Sequence, residues 1–109
     1  MYCIDGNRVY DKFDLIITLD CSILDLKIHG PNLILLLDSK NSPDGRNIVS
    51  YDLCGRFKWR IECLPKFHSQ NYFTSLYVIG KSLYSYNENG TEVEIDSNSG
   101  KLLAYELIK

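Results

Sequence analysis

A chain of 109 residues is the length of about one domain, with room for a core but little margin. Charged residues at 24% and hydrophobic residues at 45% are ordinary for a folded protein and exclude disorder, while a formal net charge of -2 lacks the basic surplus of a nucleic-acid binder. No apolar run reaches the ~20 residues that span a bilayer, and the opening Met1 to Asn7 carries no basic region or long apolar core, so a cytoplasmic protein is expected, without membrane or direct nucleic-acid contact.

In chain order, Gly6-Asn7-Arg8-Val9-Tyr10 reads as a tight turn entering a strand, and Val9 to Leu19 continues with Leu15, Ile17 and Leu19 on one side and Ile16 on the other. Leu24, Leu26 and Ile28 then alternate with Asp25 and Lys27, the pattern of a half-buried strand stopped by Gly30-Pro31. Leu33 to Leu37 is apolar on both faces and predicts a central, doubly covered strand. Asp38 to Asn47 is a long polar loop with Pro-Asp-Gly turn chemistry. After the strand from Ile48, Phe57, Trp59 and Ile61 alternate with Arg56, Lys58 and Arg60, predicting one apolar and one basic face.

Cys63 to Asn71 is an irregular connection, and Phe73 to Ile79, Leu83 to Tyr86, Val93 to Ile95 and Leu102 to Ile108 complete the strands. Asn89-Gly90 is a strong hairpin signal. No segment of helical length keeps a 3.6-residue period, so no substantial helix is expected. Cys3, Cys21, Cys54 and Cys63 are unevenly spaced, with His29 and His68 as the only imidazoles. The expectation is reduced thiols packed as small hydrophobes, with zinc or a disulfide the lesser readings.

One stretch recurs. Ile48 to Trp59 and Glu92 to Ala104 both read strand, acidic residue, turn closed by glycine, basic residue, strand; Gly6, Gly30 and Gly80 each stand three residues before an aliphatic. Together these resemble the four-stranded blades of β-propellers, especially the pyrroloquinoline-quinone-type and WD-like repeats, whose closing Gly-Lys-Leu-Leu-Trp appears here as Gly55-Arg56-Phe57-Lys58-Trp59 and as Gly100-Lys101-Leu102-Leu103-Ala104. The resemblance implies a single all-β domain over residues 1–109, with blades at 23–64 and 72–109 and residues 1–22 as an N-terminal partial blade. Two blade-like antiparallel sheets would then form a partial propeller or a small sandwich. The quinone- and metal-binding residues of enzymes carrying such repeats have no counterpart, so no cofactor and no metal site are implied.

Nucleophilic catalysis would need His29 or His68 beside a serine or cysteine; both are expected as exposed loop residues, and the glycines form no phosphate-binding loop. Glu92, Glu94 and Asp96 place three carboxylates on one strand face, with Glu88 upstream and Tyr84 and Tyr86 nearby; Tyr72, Tyr77 and Tyr105 lie in the same half. A solvated face explains the acids. The sharper alternative is an acidic patch that steers a basic protein partner onto tyrosine anchors. The expected function is non-enzymatic: an immunity protein of bacterial competition that neutralises a nuclease toxin by covering its active site, with Glu88, Glu92, Glu94, Asp96, Tyr84 and Tyr86 as the contact. A self-assembling scaffold, hence a homo-oligomer, is the alternative, and a small hydrolase the third.

Overall fold

The computed structural model describes residues 1–38, 44–64 and 71–107. It is all-β, with three antiparallel sheets. The first sheet is β1 (Tyr2–Asp5), β2 (Arg8–Asp11) and β3 (Asp14–Thr18). The second is β4 (Ile23–His29), β5 (Asn32–Leu37), β6 (Ile48–Asp52) and β7 (Phe57–Arg60), and the third is β8 (Tyr77–Ile79), β9 (Ser82–Tyr86), β10 (Thr91–Ile95) and β11 (Leu102–Leu107). Within each sheet every strand pairs with its sequence neighbour, through short turns everywhere except the longer connection between β5 and β6. No described residue is helical, and no helix is long and apolar enough to cross a membrane.

The two expected blades are the second and third sheets. The expected N-terminal partial blade is a three-stranded sheet, in which the stretch expected as one strand from Val9 to Leu19 folds as two strands around a turn at Lys12 and Phe13. The last two strands of every sheet share one irregularity. Val9 lies opposite Ile17 and Tyr10 opposite Leu15; Ser50 opposite Trp59 and Tyr51 opposite Phe57; Glu94 opposite Ala104 and Ile95 opposite Leu102. Ile16, Lys58 and Leu103 are each the extra residue of a bulge, which turns the strand over at that point. The repeat therefore occurs three times, each copy headed by an aspartate at the turn: Asp11, Asp52 and Asp96.

The bulge corrects two expectations. Leu15 and Ile17 do not share a face: Ile17 is buried and Leu15 is 51% exposed. Phe57 and Trp59 likewise part, Trp59 entering the core between the second and third sheets while Phe57 lies edge-on to Tyr51 on the other side. Nor is there a single basic face on β7, since Arg56 pairs with Asp52, Lys58 donates to the Asn32 side-chain oxygen and Arg60 donates to the Arg46 carbonyl. A further bulge at Leu24 leaves that residue 59% exposed, apart from half-buried Leu26.

The sheets stack face to face as three layers with two cores. The even and odd residues of β5 divide between them. Leu33, Leu35 and Leu37 join Val9, Ile17, Ile23 and Val49 on the side of the first sheet, while Ile34 and Leu36 join Ile48, Trp59, Ile61, Leu83, Val93 and Ile95 on the side of the third. The doubly covered central strand is as expected. At the seams, the turns after β6 and β10 press against the preceding sheet. A Cβ on Gly55 would stand 2.3 Å from the Ile16 carbonyl oxygen, and one on Gly100 would stand 2.5 Å from the Trp59 ring, so only glycine fits either place.

Most buried polar groups at the seams are paired, the Ser50 and Thr91 hydroxyls being exceptions among the described residues. Asn47, fully buried, donates to the Leu37 and Phe73 carbonyls and accepts from the Phe73 amide, fixing the chain between β7 and β8. Phe73 makes an isolated bridge to Asn87 rather than opening a strand, so the expected Phe73 to Ile79 strand shortens to β8. The cysteines are all free, but only Cys21 is buried; Cys3, Cys54 and Cys63 are exposed, against the expectation of packed thiols. Ile108, His68 and residues 39–43 of the long loop lie outside the described residues.

Candidate protein-binding face

The repeat allows the third sheet to be compared with the second position by position. On the second sheet, the face that meets the third is built from Ile34, Leu36, Ile48, Ser50, Trp59 and Ile61. Aligning the turns at Gly30 with Gly80 and at Asp52 with Asp96 puts Tyr84, Tyr86, Glu92, Glu94, Ala104 and Glu106 at those six places. Among the described residues no fourth sheet covers them. The third sheet thus keeps the backbone of an inter-sheet face while exchanging its aliphatic side chains for tyrosines and carboxylates.

Cross-strand register orders these groups. Tyr77 lies opposite Tyr84, Tyr84 opposite Glu94, and Tyr86 opposite Glu92, with Ala104 and Glu106 next across on β11. The Tyr77 ring stacks on Tyr84 at 5.5 Å and 17°, and on Tyr86 at 5.7 Å and 26°. Its hydroxyl donates to Glu92 Oε2. Burial, with the Glu92 carboxylate accepting that proton, holds the Tyr77 phenol well above the ordinary tyrosine range. The ladder is therefore a preformed aromatic platform with an acidic margin.

Ala104 leaves a notch. Where Trp59 fills the corresponding place on the second sheet, the third has an open depression of about 380 Å³ lined by Tyr84, Glu92, Glu94, Ala104 and Glu106, together with the backbone between them. Among the described residues, no ion pair involves Glu92, Glu94 or Glu106. A cation entering here meets carboxylates on two adjacent strands and the face of a tyrosine.

Of the residues singled out in the sequence, Glu92, Glu94, Tyr84 and Tyr86 come together on this face. Glu88 is exposed in the turn between β9 and β10, its amide donating to the Tyr72 carbonyl. Asp96 lies beyond the end of β10, where its carboxylate accepts from the Asn98 amide and holds the turn. Tyr105 projects to the opposite face with Val93. Tyr77 and Glu106 complete the group and were not among the contact residues expected; pairing β10 with its neighbours at the repeat's register was the signal that would have found them. His29 is not an exposed loop residue but the half-buried end of β4, hydrogen-bonded to the third sheet.

Residues 13–107 match the family model of a domain of unknown function, DUF7957. The chain belongs to that family. No curated protein matches it. Among solved structures, the computationally designed Ika8 protein superposes with a TM-score of 0.66 at 16% identity, over 99% of this chain and 36% of that one. The likeness is one of fold, and this DUF7957 chain spans about a third of the designed protein's length.

Proposed function

We propose that this domain neutralises a basic protein by covering it with the outer face of its third sheet, most concretely as an immunity protein blocking a nuclease toxin in the bacterial cytoplasm. The observation that carries this is the exchange of an inter-sheet face for stacked tyrosines, glutamates without an ion-pair partner among the described residues, and a notch where tryptophan would stand. An end sheet needs only a polar surface to stay soluble, which lysines and glutamates on a flat sheet would supply. Stacked aromatic rings beside a vacancy add what an anchor site needs. Nuclease surfaces that hold phosphates are basic, so an acidic face steers and matches them, with an arginine or lysine of the toxin seated over Ala104.

Growth of bacteria expressing basic nuclease toxin domains, with and without this chain, tests the idea alongside biolayer interferometry on the purified pairs. Protection and a salt-sensitive complex are expected. Glu92→Lys/Glu94→Lys/Glu106→Lys should abolish both while the chain still folds, melting being lowered only by loss of the Tyr77–Glu92 hydrogen bond, and Ala104→Trp should weaken binding at least about tenfold by filling the notch. Protection retained by the triple variant would sink the site, and protection against no nuclease domain would sink the toxin assignment.

The self-assembling scaffold is disfavoured by the other end of the stack. There the turn equivalent to those of Gly55 and Gly100 is shorter, and its positive-φ residue is Lys12, at 56°. That end therefore lacks the glycine turn through which the two internal interfaces close their seams.

A further inference from the structure

On the side of the Gly30 and Gly80 turns, a shallow cleft of about 530 Å³ runs between the second and third sheets, sharing no residue with the acidic face. Ile28, Pro31 and Val78 give it an apolar wall, and His29, Ser97 and Asn98 line the rest. Ile28 is 50% exposed and Val78 37%, so the wall is open to a ligand.

The protons at His29 follow from its partners. Nε2 lies 2.9 Å from the Lys81 carbonyl oxygen, which can only accept, so Nε2 carries a proton. In the neutral ring, Nδ1 then has the lone pair, and it lies 2.7 Å from Ser97 Oγ. The Ser97 hydroxyl therefore donates to a basic nitrogen whose ring is held from its far side by a backbone carbonyl. That is the arrangement of a nucleophile, its base and the group that orients the base, brought together from positions 68 residues apart.

The surroundings fix the serine. The Trp59 indole donates to the Ser97 carbonyl at 2.9 Å, and the Asn98 amide donates to Asp96 Oδ1. Asn32 Nδ2 donates to Asn98 Oδ1 at 3.0 Å, which leaves the other end of that side chain, Nδ2, as the donor toward an anion in the cleft.

We infer that Ser97 and His29 form an acyl-transfer site for small esters with an apolar acyl group. Ser97 Oγ bonds to the ester carbonyl carbon as its proton passes to His29 Nδ1, and Asn98 Nδ2 donates to the oxyanion. The bond to the leaving alcohol breaks as His29 returns the proton to the alkoxide, giving an acyl-serine. Water then adds by the same route, and the free acid leaves with Ser97 restored. The site stands apart from the partner-binding face and does not rest on it.

Reaction of the intact folded chain with a fluorophosphonate probe, followed by peptide mass mapping, tests this directly, with p-nitrophenyl butyrate hydrolysis as the turnover assay. One adduct on Ser97 is expected, absent in Ser97→Ala, with labelling slowed about 100-fold in His29→Gln. Ser97→Ala should fold, because the Trp59 bond is to the backbone. Should His29→Gln unfold, mapping in the wild-type chain still decides. A folded wild-type chain that takes no adduct, takes it elsewhere, or labels equally as Ser97→Ala overturns the inference.

Discussion

Gly100→Ala is the sharpest test of how the sheets are held together. At φ 77° an added Cβ costs about 1–2 kcal/mol from backbone strain alone. It would also stand 2.5 Å from Trp59 Cε3, 2.7 Å from Cδ2 and 3.2 Å from the Arg60 carbonyl oxygen. Trp59 is buried in the core cluster with Ile34, Ile48 and Val93, so displacing it adds about 1–3 kcal/mol of overpacking. The sum is about 2–5 kcal/mol, a large part of the ~5–15 kcal/mol that stabilises a domain. Gly80→Ala is the matched control: φ is 60° but nothing lies within 4 Å, so it carries the backbone cost without the clash. Urea unfolding followed by circular dichroism should rank Gly100→Ala well below Gly80→Ala, with melting temperatures lowered by about 8–20 °C and 4–8 °C respectively. Equal destabilisation by the two, within about 0.5 kcal/mol, would refute the seating of this turn on Trp59.

Trp59→Ala should cost about 3–5 kcal/mol, measured by the same urea titration, because it empties the seam and orphans the Ser97 carbonyl. Because the folded state raises the Tyr77 phenol, its stabilising contribution is whole below the unfolded tyrosine value and is lost as pH climbs above about 10. Tyr2 and Tyr51 are raised too, so the measurement is the difference between wild type and Tyr77→Phe, which should shrink from neutral pH toward pH 11. Thiol titration with a disulfide reagent should find Cys3, Cys54 and Cys63 reacting in the folded chain and Cys21 only on unfolding, since Cys21 is buried and its thiol is raised by that burial.

Fold class was legible because strand alternation and turn chemistry are local. Leu33 to Leu37 announced a doubly covered strand, and the Asp-to-Gly turns announced the repeat. What periodicity misses is a bulge. A period of two carried across Lys58 puts Phe57 with Trp59, and carried across Ile16 puts Leu15 with Ile17; one extra residue reverses both. The bulges also hid how the N-terminal partial blade repeats the others, since its Val9, Tyr10 and Asp11 match Ser50, Tyr51 and Asp52 only by register. The acidic strand was visible, but Tyr77 and Glu106 joined it through neighbouring strands. The pairing of His29 with Ser97 was not legible at all, since it depends on how one sheet is laid on the next.

The two ends of the stack depart from the internal pattern in different ways, and the difference bears on what each end is for. Inside, a sheet receives the next one through an aliphatic face, a large residue on its last strand and a glycine turn pressed onto it. The first sheet's outer side has Lys12 in the turn, with Phe13 98% exposed and Cys3 and Leu15 beyond, which removes the close seam and leaves nothing shaped in its place. The third sheet loses its aliphatics too, yet in their positions stand rings stacked on one another, a tyrosine hydroxyl bonded to a carboxylate, and a vacancy where tryptophan would be. Ordering long side chains against one another has an entropic cost that a merely solvated face does not incur. A face that is ordered, acidic and notched is therefore the better place to look for a partner, and the first sheet's outer side is the natural control surface for charge reversal.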